Sequence, residues 1–269
     1  MTNKPSVALI GAGAMGGALL KGWIADGAVD PARSAVFDPS VRDDIQALCK
    51  AHGVSVNAGA GSFDAVVLAV KPQAAATVLP SYDAIARDAL VISVMAGKSI
   101  ASISSLLGDA PRVARVMPNL PAALGKGVCG LYAPQSVDAK GRAMIEALMR
   151  AAGGVVWVRT EQEIDFVTAV SGSGPAYFFL LTEALADAGD ALGLDPDAAA
   201  ALARATLSGS GALIEAETRT PAEMRRAVTS PGGTTEAALK VFDGDDKAMR
   251  DMVRKAVAAA ARRAGELTD

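Results

Sequence analysis

The 269-residue chain has one histidine, His52, which excludes a site that gathers several imidazoles around a metal. Its two cysteines, Cys49 and Cys129, are far apart and in no metal-ligand spacing. A disulfide framework is therefore not expected, and both read as packed or free thiols of a reducing compartment. Aromatic residues make up 4% against 51% hydrophobic residues, so the core must be built from Ala, Val, Leu and Ile. Such cores belong to tightly packed helices or to a parallel sheet covered by helices. A net charge of −3 leaves no basic footprint, so no nucleic-acid partner is expected. Met1-Thr2-Asn3-Lys4-Pro5 passes straight into a strand-like run with no signal-peptide pattern. No apolar run reaches membrane-spanning length; Ala176 to Leu181, the longest, is soon followed by Glu183. The expectation is a soluble, cytoplasmic protein with no membrane partner and, from its length, two domains.

What is present begins with Ser6-Val7-Ala8-Leu9-Ile10, a short apolar run suited to a buried parallel strand. It leads into Gly11-Ala12-Gly13-Ala14-Met15-Gly16 and then a helical stretch to Ala25. A G-x-G-x-x-G between strand and helix is the context of a dinucleotide site. The first glycine makes the turn, the second admits pyrophosphate, and the third lets helix and strand pack closely. Further strand signals follow at Ala35–Phe37, Ala65–Val70, Ala89–Val94, Arg112–Val116 and Gly154–Val158, alternating with helical patterns. Together they predict a Rossmann-like, doubly wound parallel sheet over residues 1–160. Ligands of such sheets sit beyond the carboxyl ends of the strands. That points to Lys71, Pro72, Met95, Ala96, Gly97 and Asn119. Asp38, at the end of the second strand, argues for NAD, because an acid there accepts a ribose 2′-OH and repels a 2′-phosphate. Ser40 and Arg42 either hold such a phosphate or are a helix cap and a solvated side chain.

Residues 161–269 read as all-helical. Ile164 to Val170 is helical, Ser171-Gly172-Ser173-Gly174-Pro175 interrupts, and a helix resumes from Ala176 to about Leu192 with apolar residues on all sides. A helix apolar all round must be buried all round, and so small a domain suggests burial against another subunit. Asp195-Pro196 opens a further helix as cap and first residue, and Thr220 with Glu223 is spaced as a capping box. Then comes Thr229-Ser230-Pro231-Gly232-Gly233-Thr234-Thr235, leading into a helical pattern. Adjacent glycines before a helix N-terminus either form a plain turn or present N–H groups to a small anion such as a carboxylate. No lysine occurs between Lys140 and Lys240, and no histidine after His52. Enzymes acting on alcohols and ketones usually place His, Lys or Tyr at the oxygen, and of these the helical half offers only Tyr177 before Lys240. An imine, which can arrive protonated, needs no such group.

These pieces resemble pyrroline-5-carboxylate reductase over essentially the whole chain. The resemblance rests on the first glycine loop, on Ala69-Val70-Lys71-Pro72-Gln73, on Arg115-Val116-Met117-Pro118-Asn119, on Ser171-Gly172-Ser173-Gly174-Pro175-Ala176-Tyr177, and on Thr229 to Thr235. It implies reduction of the ring C=N of 1-pyrroline-5-carboxylate to L-proline, with NADPH favoured and NADH as the alternative. Gly11 to Gly16, Val70 to Pro72 and Met95 to Gly97 would hold the cofactor, with Asp38, Ser40 and Asn119 beside them. Ser230 and the backbone at Gly232, Gly233 and Thr234 would hold the substrate carboxylate, and Thr235 the ring nitrogen. The resemblance further implies dimers with interlocked helical domains, often joined into pentamers of dimers. Three rival readings remain: a reductase of a related cyclic imine such as the six-membered homologue; a 3-hydroxyacid or ketopantoate-type reductase, which shares the architecture but places a lysine after the sheet domain; and a regulator that binds NADP(H) without turnover.

Overall fold

The computed structural model describes residues 4–59 and 61–268; Met1 to Asn3 of the N-terminal stretch lie outside them. The strands are β1 (Val7–Ile10), β2 (Ala35–Phe37), β3 (Ser55–Val56), β4 (Ala65–Leu68), β5 (Leu90–Ser93), β6 (Val113–Met117), β7 (Gly127–Tyr132) and β8 (Gly153–Trp157). The helices are α1 (Ala14–Asp26), α2 (Asp43–His52), the short α3 (Ala75–Val78) and α4 (Asp83–Ala86), α5 (Ile100–Leu106) and α6 (Ala139–Arg150). After them come α7 (Glu163–Val167), α8 (Gly174–Ala191), α9 (Pro196–Ala216), α10 (Pro221–Ala227), α11 (Thr234–Asp243) and α12 (Ala248–Leu267). The chain divides into two compact units, one of residues 1–173 with 260–269, the other of 174–259.

In the first unit the strands form one sheet in the order β3-β2-β1-β4-β5-β6-β7-β8. β1, β4 and β5 are buried along their whole length. Their side chains alternate between two cores. Val7, Leu9, Val67 and Ile92 meet Leu19, Trp23, Ile45 and Leu148 of α1, α2 and α6 on one face. Ala8, Ile10, Val66 and Val91 meet Ala75, Leu79, Ile85 and Ile103 on the other. Burial on both faces is why these strands read as unbroken Val/Ile/Leu runs. This is the Rossmann-like, doubly wound sheet expected from the sequence, parallel in all but one pairing. β7, which the sequence reading passed over, pairs antiparallel with β6, and β8 returns parallel to β7. β3 is a second unexpected strand, parallel to β2 at the sheet's edge.

The expected interruption at Ser171 to Pro175 is also corrected. Thr168–Gly172 is a π-helical turn that joins α7 to α8, with the Ser173 N–H donating to the Thr168 carbonyl at 2.8 Å. The Thr168 and Ser171 hydroxyls donate back to the carbonyls of Ile164 and Val167, so polar residues that usually break a helix are satisfied inside it. Glu163–Ala191 is thereby one continuous helix of 29 residues, long and apolar enough by composition to cross a membrane. The sequence predicts two shorter helices here, Ile164 to Val170 and Ala176 to about Leu192, and no apolar run of membrane-spanning length.

In the second unit the predicted caps are in place. Asp195 accepts the N–H groups of Asp197 and Ala198 at the start of α9, and Thr220 with Glu223 forms both halves of a capping box. Very little of this unit is buried: Phe178, Phe179 and Leu180 on α8 are all more than half exposed.

Candidate functional site

The strand order reverses between β1 and β4, since the chain runs outward from β1 to β3 and returns to β4 on β1's other side. Doubly wound sheets bind ligands at such a switch. The glycine loop leaves β1 at this point. The Gly11 N–H donates to the Phe37 carbonyl (2.8 Å) with φ at 92°, a conformation that favours glycine. A Cβ on Gly11 would stand 2.8 Å from the Ala69 carbonyl oxygen, and one on Gly16 only 2.1 Å from that of Gly11. Both positions thus demand glycine for packing. Gly13 differs: a Cβ there would meet nothing within 4 Å. It is the N-cap of α1, whose first turn, opening with Ala14, Met15 and Gly16, carries no acidic residue. Open space above a helix N-terminus with unpaired N–H groups and no acid in its first turn fits a pyrophosphate.

The other sequence-predicted residues surround this loop unevenly. Val70, Lys71 and Pro72 follow β4, with Lys71 exposed and capping a single 3₁₀ turn. Met95 follows β5 with its side chain buried, which leaves only its main chain open to a ligand; Ala96 and Gly97 (φ 66°) continue the loop. Asn119 follows β6, and its side-chain oxygen accepts the Val128 N–H at 2.9 Å, tying β7 to the loop. Asp38 follows β2, and its carboxylate accepts N–H groups from Ala12 (2.7 Å) and Ser40 (2.8 Å). Ser40 and Arg42 are exposed, and Arg42 pairs with Asp44 at 3.3 Å.

Two groups of the first unit are given no role by the sequence. Asn57, at φ 50°, exchanges two hydrogen bonds with the Asp38 main chain (3.0 and 2.9 Å). Its only sequence signal was a residue type that tolerates the left-handed region. Arg115, buried at 2% exposure on β6, pairs with Glu161 (3.3 Å) and Asp165 (3.4 Å). Glu161 also accepts the Ile100 N–H (2.7 Å), and Asp165 the Thr268 hydroxyl (3.2 Å). Here the signal was available: a charge inside a fully buried strand must have partners.

In the second unit, Ser230-Pro231-Gly232-Gly233 makes a tight turn closed by the Gly233 N–H donating to the Ser230 carbonyl (3.0 Å), with Gly232 at φ 70°. Pro231 presets the second position of this turn and glycine supplies the third. The Gly232 N–H donates to the Glu236 carboxylate at 2.8 Å. Gly233 caps α11 without a side chain, and the first helical donation runs from Ala237 to Gly233 (3.2 Å). The N–H groups of Thr234 and Thr235 therefore precede any intrahelical acceptor. A Cβ on Gly233 would strike the Ser230 hydroxyl at 2.5 Å, which places that hydroxyl against the turn. The arrangement offers the amides at the start of α11 and the hydroxyl residues Ser230, Thr234 and Thr235 for a small carboxylate.

Two family models match the chain. One, described as pyrroline-5-carboxylate reductase dimerisation, covers residues 161–267, and the other, described as NADP oxidoreductase coenzyme F420-dependent, covers residues 6–97. A pyrroline-5-carboxylate reductase of Pseudomonas aeruginosa is 42% identical over 271 residues, covering 99% of this chain and 98% of that one. The solved structure of a pyrroline-5-carboxylate reductase from Coxiella burnetii matches with a TM-score of 0.90 at 38% identity, over 99% of this chain and 100% of that one. A Plasmodium falciparum pyrroline carboxylate reductase solved with NADP bound shares the fold over the full length of both chains, at a TM-score of 0.81 and 24% identity. Related end to end to one such reductase, and matched by the dimerisation model across its helical half, this chain belongs to the pyrroline-5-carboxylate reductase family.

Proposed function

We propose that the chain carries out its family's reaction, reduction of the ring C=N of 1-pyrroline-5-carboxylate to L-proline, with NADPH as donor and NADH as an alternative. The observation that carries this reading is the full-length relationship, 42% identity over 99% of the chain. Two glycine-rich helix starts support it, one fitted to a pyrophosphate and one to a carboxylate. The rival hydroxyacid reductase is set aside by that relationship and by the missing lysine.

Residues Gly11 to Gly16, Val70, Lys71, Pro72, Met95, Ala96 and Gly97 hold the cofactor, with Asp38, Ser40 and Asn119 framing them. NADPH, when bound, supplies the hydride from nicotinamide C4. The chain's own contribution is positioning and exclusion of water. The backbone around Gly232, Gly233 and Thr234, with the Ser230 hydroxyl, anchors the substrate carboxylate. The Thr235 hydroxyl orients the ring nitrogen. No strong acid is required, because an imine nitrogen is far more basic than a carbonyl oxygen. Residues 1–160 serve as the cofactor domain and 161–269 as the substrate and dimerisation domain.

The protein self-associates through the helical unit, as a dimer that can assemble further into a decamer. The exposed Phe178, Phe179 and Leu180 support this, as does an apolar groove of about 710 Å³ in the same unit, lined by Leu181, Leu185, Leu239, Phe242 and Val253. We place the enzyme in the cytoplasm. The test is oxidation of NADPH, and then NADH, at 340 nm with racemic 1-pyrroline-5-carboxylate, repeated with Thr235→Ala. Wild-type turnover is expected, with kcat/KM of the variant lower by about tenfold or more. Absence of wild-type turnover with either cofactor would overturn the substrate assignment, and an unchanged variant would overturn the role of Thr235.

A further inference from the structure

We infer that Asp38 holds the glycine loop in place and does not read the 2′ position of the cofactor's adenosine ribose. The inference rests on the cofactor reading above. An acid at the end of the second strand ordinarily accepts the ribose hydroxyls and so rejects a 2′-phosphate. Asp38 occupies that position, but each of its polar atoms already has a partner within the chain. One carboxylate oxygen accepts the Ala12 N–H (2.7 Å) and the other the Ser40 N–H (2.8 Å). Its own N–H donates to the Asn57 side-chain oxygen (3.0 Å), and its carbonyl accepts from the Asn57 side-chain nitrogen (2.9 Å). Asn57 is fixed in turn by donating its N–H to the Val36 carbonyl at 2.8 Å.

The Ala12 amide decides the matter. Ala12 is 1% exposed, so water does not replace a lost acceptor there. Turning the carboxylate toward a ribose would orphan a buried donor, a cost of the same order as the bond it would gain. Ala12 lies between Gly11 and Gly13, so the bond sets the path of the loop that a pyrophosphate must approach. The pyrophosphate is common to NADPH and NADH. Asp38 is thus a positioning residue that serves both cofactors equally, and its presence is compatible with NADPH.

The test is direct binding of NADPH and of NADH to the full-length oligomer, followed by nicotinamide fluorescence, for the wild type, Asp38→Ala and Asp38→Asn. Removing the acceptor in Asp38→Ala is expected to raise both dissociation constants by roughly tenfold, leaving their ratio within about threefold of the wild type. Asp38→Asn keeps one oxygen for the Ala12 N–H and is expected to recover part of the loss for both cofactors. KM for either cofactor should rise by a larger factor than kcat falls. Tighter NADPH binding together with weaker NADH binding in Asp38→Asn, a tenfold change of ratio, would overturn the inference and restore Asp38 as the discriminating acid. So would unchanged binding of both cofactors to Asp38→Ala. Failure of the wild type to bind either cofactor would instead remove the cofactor reading on which the inference stands.

Discussion

Replacing Arg115 by methionine is expected to cost about 3–5 kcal/mol of unfolding free energy, because it strips a buried carboxylate of its counter-charge. Arg115 is 2% exposed and Asp165 8%. After the substitution Asp165 keeps the Thr268 hydroxyl at 3.2 Å, a single neutral donor that offsets part of the lost desolvation. Glu161 fares better, with its side chain 31% exposed and the Ile100 N–H still donating to it. The penalty therefore concentrates on Asp165. The double variant Arg115→Met with Asp165→Leu removes both charges and should recover most of the loss, since a well-packed apolar pair often replaces a buried ion pair at little cost. Urea unfolding reads the effect, at one fixed protein concentration because self-association makes stability depend on concentration. A loss under about 1 kcal/mol in the single variant would refute the reasoning, since the pair would then be worth no more than a surface ion pair. Equal losses in the single and double variants would refute the charge argument and leave lost packing as the cause.

Two further outcomes follow from groups whose titration the fold shifts. The Ser6 N–H, and after it the Ser6 hydroxyl, hold the Asp64 carboxyl below its usual range against the opposing effect of partial burial. A carboxyl depressed in the folded state contributes stability that is complete above its unfolded value, about 3.9, and fades as pH falls through the folded value. Asp64→Asn should therefore trail the wild type by a constant margin at neutral pH, about 0.5–1 kcal/mol given a side chain 45% exposed, and the gap should close in acid. A gap that widens below pH 4 would contradict this. Burial pushes the Cys129 thiol up to about 12 and raises Cys49 as well, so neither should react with a thiol reagent at pH 8 until the chain unfolds. Rapid labelling of Cys129 in the native protein would show that the β7 region opens.

The sequence revealed most where burial demanded most of it. β1, β4 and β5 are covered on both faces, and only apolar, largely branched residues meet that demand, so their runs were plain. β7 was missed because its sequence, Gly-Val-Cys-Gly-Leu-Tyr, carries glycines where strands usually carry branched residues. The reason lies outside the strand: a Cβ on Gly130 would fall 2.5 Å from a Val167 methyl, so the helix packed on β7 requires the glycine. Likewise the charge of Arg115 announced an ion pair, but its partners lie 46 and 50 residues away and no local pattern could name them. Asp38 was placed correctly at the strand end, yet the bond that defines its role runs to a main-chain amide, and main-chain amides leave no mark in a sequence.

The helix Glu163–Ala191 shows the complementary case, in which apolar character is plain and its cause is not. A membrane span, a core helix and an interface helix all produce the same run of Phe, Leu and Ala. The lone chain does not supply the cover, since Phe178, Phe179 and Leu180 are left more than half exposed. A lipid cover is disfavoured because Glu183, Asp187 and Asp190 sit on the same helix, where each charge placed in hydrocarbon costs about 2.5–3.5 kcal/mol. A protein cover suits both features, since an interface can bury the aromatic and leucine side chains while its rim leaves the carboxylates in water. The match of residues 161–267 to a dimerisation model supports self-association as that cover. The all-round apolar helix is thus a signal of quaternary structure, legible only when the chain's own capacity to bury it has been measured and found insufficient.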